Sequence, residues 1–167
     1  MYRQMLTNFF ALSARLEAAR ARIGALIGVS GPQWTMLMTI AECSPEPGIR
    51  ASIIADKMNV SRPFVATETA KIIRAGLVLR RADPEDARSA MLTLTERGAQ
   101  EIRRLMPTIQ LVNDIGFSGF SRQQFQGFCH MLETLLKDSA AAFEAMDQAS
   151  YDVPRRRFLG TRRNLAL

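Results

Sequence analysis

Histidine is nearly missing from this sequence: His130 is the single one in 167 residues, and there are only two cysteines, Cys43 and Cys129. That scarcity removes the usual zinc sets, which need several closely spaced Cys and His ligands. Two distant thiols in a chain with no signal-peptide pattern point to a reducing cytoplasm, not a disulfide scaffold. No run approaches the roughly 18 apolar residues of a membrane span, so no membrane partner is expected. A glycine-rich phosphate loop and a paired catalytic acid motif are also missing. The residues therefore recommend no enzyme, no cofactor and no metal. His130 reads as a partly buried residue of a helix interface, and the two cysteines as small buried apolar residues.

Positive charge is plentiful. The chain carries a net +6 and a sequence pI near 10.1, with 47% apolar and 23% charged residues. Those fractions suit a folded chain, and the excess of basic residues suits a polyanion such as nucleic acid. By segment the charge is about +1 over residues 1–49, about +4 over 50–104, about −3 over 105–149 and about +4 over 150–167.

Met5, Phe9, Leu12, Leu16, Ala19, Ile23 and Leu26 recur at a mean step of about 3.5, which predicts a first helix with a narrow apolar seam that needs a partner surface. Gly28 ends it. Ser30, Pro32 and Gln33 open a second helix through a capping box, running to about Cys43. Ser44 to Gly48 is a turn cluster. Ile49-Arg50 then fits a very short strand, and Ala51 to Met58 a short helix facing inward at Ile54, Ala55 and Met58.

After a turn at Asn59-Val60, Ser61 caps a longer helix to about Ala75, with Pro63 in its first turn and Gly76 as its stop. Helix, tight turn and capped helix make a helix-turn-helix. Leu77 to Arg81 and Ala90 to Leu94 flank ADPEDARS as a hairpin, which completes a winged helix. Thr95 caps a helix through Ile102, Leu105, Ile109 and Val112, where Pro107 predicts a kink near Met106 or a split. Gly116 to Gly119 is a loop. Ser121 and Gln124 form a second capping box ahead of a last helix with its seam at Phe125, Phe128, Leu132, Leu135, Ser139, Ala142 and Met146.

The expected fold is mainly α with a small β wing: a winged helix-turn-helix lobe over 30–94, and long N- and C-terminal helices over 1–28 and 95–149. Two seam-bearing terminal helices are more simply buried against a second copy of the chain than in an intramolecular bundle. Residues 150–167, with Arg155, Arg156, Arg157, Arg162 and Arg163, form a basic tail. It is either solvated or an arm toward phosphates.

The stretch Val60 to Gly98, VSRPFVATETAKIIRAGLVLRRADPEDARSAMLTLTERG, resembles the winged-helix core of MarR-type transcription regulators in helix length, the GLV exit, the DPxDxR wing and the LTxxG restart. An SGPQW opening at Ser30 to Trp34 adds to it. Extended over roughly residues 5–149, the resemblance implies a cytoplasmic homodimer that presents each lobe to half of a pseudo-palindromic operator in double-stranded DNA. A twofold dimer suits two half-sites about one helical turn apart. The alternative is a winged-helix module that binds protein without effector control.

The recognition helix would face DNA with Arg62, Pro63, Phe64, Ala66, Thr67, Ala70 and Lys71, while Val65, Ile72 and Leu77 face the core. Phe64 either touches thymine methyls or folds back on Pro63. Glu68 departs from the apolar residue usual in the family and is expected to pair with a nearby arginine. In the wing, Arg88 oriented by Asp86 would enter the minor groove, with Arg80 and Arg81 on phosphates at its base. The resemblance also implies repression released by a small aromatic or phenolic effector, for which Phe9, Ser13, Arg15, Trp34 and Met38 are candidates, Arg15 holding a carboxylate. Trp34 and Met38 read equally well as plain core. The family's peroxide sensors carry a thiol near the start of the first helix, and this chain has none there.

Overall fold

A computed structural model describes residues 1–43, 48–83 and 90–148. The elements run α1 (Tyr2–Ala25), α2 (Gly31–Glu42), β1 (Ile49–Arg50), α3 (Ala51–Met58), α4 (Arg62–Arg74), β2 (Val78–Ala82), β3 (Ala90–Leu94), α5 (Glu96–Gly116) and α6 (Arg122–Gln148). The described residues form two compact units, one of Leu6–Gln110 and one of Met1–Met5 with residues 111–148. Among the described residues no helix is long and apolar enough to cross a membrane.

The larger unit holds the core. Met36, Leu37 and Ile40 of α2, Ile54 of α3, Val65 and Ile72 of α4, Val78 and Leu92 of the strands, and Ile102 and Leu105 of α5 are all buried together. They come from periods of three and four on the helices, so each helix contributes one apolar face, and Gln33, Glu68 and Thr69 are polar residues buried at its margin. β3 is the middle strand of an antiparallel sheet in the order β1-β3-β2. Its Leu92 stands opposite Ile49 on one side and Arg80 on the other.

Local chemistry sets the boundaries. At the start of α2 the Ser30 Oγ accepts from the Gln33 N–H, and the Ser30 N–H donates to Gln33 Oε1 at 2.9 Å, satisfying two donors that the first turn would leave orphaned. Asn59 closes α3 in the left-handed region at φ 51°, a conformation that its short polar side chain tolerates, and so keeps the turn into α4 tight. Ser61 accepts from the Phe64 N–H, and Pro63 occupies the first turn where no N–H is needed. Ser121 and Gln124 cap α6 reciprocally.

Thr95 joins the wing to α5. Its N–H donates to the Leu77 carbonyl at 3.0 Å, its hydroxyl donates to the Gly76 carbonyl at 2.8 Å, and Oγ1 accepts from the Gly98 N–H at 2.9 Å. The GLV and LTxxG segments are thus two halves of one joint.

Of the kink or split expected at Pro107, the split does not occur: α5 is one helix with Pro107 inside it. Pro107 and Arg103, the residue whose carbonyl loses its helical donor, are both exposed, so that carbonyl is not lost into the core. Cys43 and Cys129 are half-buried, not buried. His130 is exposed in the single chain, its Nδ1 3.9 Å from Glu133.

Candidate nucleic-acid interface

The outward face of α4 is as the sequence predicts. Arg62, Pro63, Phe64, Ala66, Thr67, Ala70 and Lys71 are exposed, while Val65 and Ile72 are fully enclosed. Thr69 turns inward and donates to the Val65 carbonyl at 2.6 Å, a bond that spares the core an unpaired hydroxyl. Phe64 keeps 37% of its surface exposed. Its ring borders a groove with Pro32, Met58 and Val60, on the side of α4 that faces α2 and α3.

Beside this face, β2 exposes Arg80 and Arg81. A second groove, about 280 Å³ in volume, separates the wing from the helix, with Arg50 and Arg80 at its sides and Ala66 and Ala70 of α4 on its wall. Arg50 also pairs with Asp83, whose carboxylate is 2% exposed, which ties the base of the wing to the strand that leads into α3. Asp83 lies in the ADPEDARS segment of the hairpin, where an acid would ordinarily be solvated. Its burial becomes visible once β1 is seen to pair with β3. Asp86 and Arg88 lie outside the described residues, as does the tail over 150–167.

Glu68 does not pair with an arginine. Its Oε1 accepts from the Lys71 ammonium at 2.6 Å, and its Oε2 accepts from Gln33 Nε2 at 2.7 Å. Lys71 lies one turn along the same helix, within side-chain reach, which is why it and not an arginine takes the site. Gln33 has its own oxygen engaged by Ser30, so its amide nitrogen is left to point across to α4. The two bonds favour the ionised carboxylate and hold its pKa below the ordinary value near 4.5, the Lys71 bond contributing most, while burial opposes them.

A lowered folded-state pKa means that the stabilisation is complete above about pH 4.5 and is lost as pH falls through the folded-state value. Wild-type and Glu68→Gln proteins are therefore expected to differ most in thermal midpoint near neutrality and to converge in acid. A gap that stays constant from about pH 7 to about pH 3 would show that the ionised carboxylate contributes nothing.

Among the described residues, the effector candidates are spread between the core and the surface of α1. Trp34 is in the core, Met38 packs against it, and Phe9, Ser13 and Arg15 are exposed along α1. The groove that α1 and α2 border is lined instead by Glu17, Arg20, Pro32, Thr35 and Thr39, with residues of α3 and α4.

A short helix, a tight turn, a longer helix and a three-stranded sheet define a winged helix-turn-helix protein. The MarR family model matches residues 29–90 of the chain. Among curated proteins, none matches the chain. Three solved structures share the fold. A putative MarR family transcriptional regulator from Listeria monocytogenes, complexed with a 26mer DNA, is 15% identical with a TM-score of 0.75, over 87% of this chain and 97% of its own. A MarR protein from Peptoclostridium difficile is 21% identical, with a TM-score of 0.72 over 85% and 91%. A MarR transcriptional regulator from Methanosarcina mazei Go1 is 21% identical, with a TM-score of 0.70 over 84% and 99%.

Proposed function

We propose that this protein is a homodimeric, sequence-specific DNA-binding transcription regulator, a repressor released by a small aromatic or phenolic effector. The carrying observation is the recognition helix, which exposes Arg62 and Thr67 next to a strand that exposes Arg80 and Arg81. Arg62 suits a guanine edge or a phosphate, Thr67 a base edge, and the two strand arginines suit the backbone. Pro63, Phe64 and Ala66 add apolar contact with thymine methyls. In the wing, Arg88 oriented by Asp86 enters the minor groove. The fold shared with the DNA-bound Listeria regulator supports the docking mode.

The terminal helices carry the dimer. Met5, Phe9, Leu12 and Leu16 of α1 are each 45–46% exposed, and Met131, Leu135 and Leu136 of α6 are more so, which is apolar surface that a lone chain leaves in water. A twofold partner covers it and sets the two lobes at half-site spacing. The single lobe over 30–94 then reads one half-site.

The test is fluorescence anisotropy on duplex DNA from the promoter nearest the protein's own gene, at several salt concentrations and with a panel of aromatic acids. Binding is expected to weaken steeply with salt, and Arg88→Ala to weaken it about tenfold while the dimer persists. Salt-independent binding, or none, would leave the protein-interaction module as the better reading. If no aromatic acid shifts the affinity, effector release is wrong.

A further inference from the structure

We infer that Glu68 is a positioning residue that holds the Lys71 ammonium off the DNA and ties the recognition helix to the capping box of α2. This rests on the DNA-binding reading above.

Three observations carry it. Both carboxylate oxygens of Glu68 are engaged, one by Lys71 at 2.6 Å and the other by Gln33 at 2.7 Å, so the group is held from two sides. Its side chain is only 11% exposed against 47% for Lys71. A surface pair three residues apart would be weak, because water screens both ends. Here one end has lost most of its water, and the lysine is the cation that compensates it. Gln33, finally, is the capping-box residue that closes the first turn of α2, so the bridge links one helix terminus to the middle of another.

An exposed lysine on a recognition helix ordinarily supplies a sequence-independent phosphate contact. Held by Glu68, Lys71 withholds that contact, and the first turn of α4 is left to read the groove with Arg62. The carboxylate thus reduces indiscriminate attraction to DNA, and the Gln33 bridge fixes how α4 sits over α2.

Salt titration of duplex binding separates the alternatives, since each phosphate contact adds about 0.9 to the slope of log K against log salt. In the wild type, Lys71→Ala is expected to leave the slope unchanged, whereas Arg62→Ala lowers it. Glu68→Gln is expected to tighten binding to a scrambled duplex several-fold, to steepen the slope by about 0.9, and to narrow the preference for the operator. Adding Lys71→Ala to Glu68→Gln returns the slope to its wild-type value.

If Lys71→Ala alone flattens the wild-type slope as much as Arg62→Ala does, Lys71 is an ordinary phosphate contact and the inference falls, as it does if a folded Glu68→Gln protein keeps the wild-type slope. Should Glu68→Gln not fold, the comparison of Lys71→Ala with Arg62→Ala decides alone. A wild-type protein that binds no duplex overturns the DNA reading itself, a result distinct from either.

Discussion

Gly98→Ala is expected to destabilise the winged-helix lobe by about 3 kcal/mol or more, at the top of the range for overpacking. A β-carbon at Gly98 would stand 2.1 Å from the Leu77 carbonyl oxygen and 3.1 Å from its carbon. Neither atom belongs to a flexible side chain. The same carbonyl accepts the Thr95 N–H, and Leu77 is itself 1% exposed, so the backbone there is fixed from both sides. Alanine's better helix propensity offers about 1 kcal/mol in return, which is too little. A lobe whose whole stability is on the order of 5–15 kcal/mol would show the loss as a large drop in thermal midpoint. Gly119→Ala is the control, since nothing lies within 4 Å of its added carbon. Equal midpoints for the two variants would mean that the close approach of α5 to Leu77 does not exist in solution.

Leu135→Asp is expected to convert the dimer to monomer and to lower operator affinity by about a hundredfold or more, the gain that linking two binding modules usually supplies. Leu135 is 49% exposed in the single chain and belongs to the apolar seam of α6. Covered by a partner, an aspartate there would lose its water without a cation to pair with, whereas in the monomer it costs almost nothing. The change therefore acts on association and leaves the folded chain alone. Sedimentation equilibrium reports the mass, and anisotropy on whole and half operators reports the affinity. Half-site binding is expected to survive, weakly. A variant that still sediments as a dimer would place the interface elsewhere.

What the sequence made legible was local. The capping boxes at Ser30 and Ser121, the cap at Ser61 and the bounds of α3 and α4 are written within a turn or two of the residues that form them, and the structure has them at those places. The outward set on α4 came with the resemblance, and the structure exposes those residues. The unread features join distant parts of the chain: Gln33 meets Glu68 across 35 residues and Thr95 meets Gly76 across 19. No periodicity announces such a contact. Glu68 was visibly out of place on an inward position, so the need for a partner could be read, but its identity depended on how α2 crosses α4. Likewise, Gly76 and Gly98 stood out as family marks before the joint between them gave each a physical reason. Trp34 and Met38 show the converse limit, since a residue facing a core and one facing a cavity have the same spacing.

The sheet order leaves β2 at an open edge, and that edge carries Arg80 and Arg81. An unpaired strand is a template on which another chain can add, and neighbouring like charges are a common defence against it. On this edge the two arginines serve two unrelated ends: the phosphate contact proposed above, and repulsion of other copies of the strand. Replacing either arginine with an apolar residue would therefore weaken both at once.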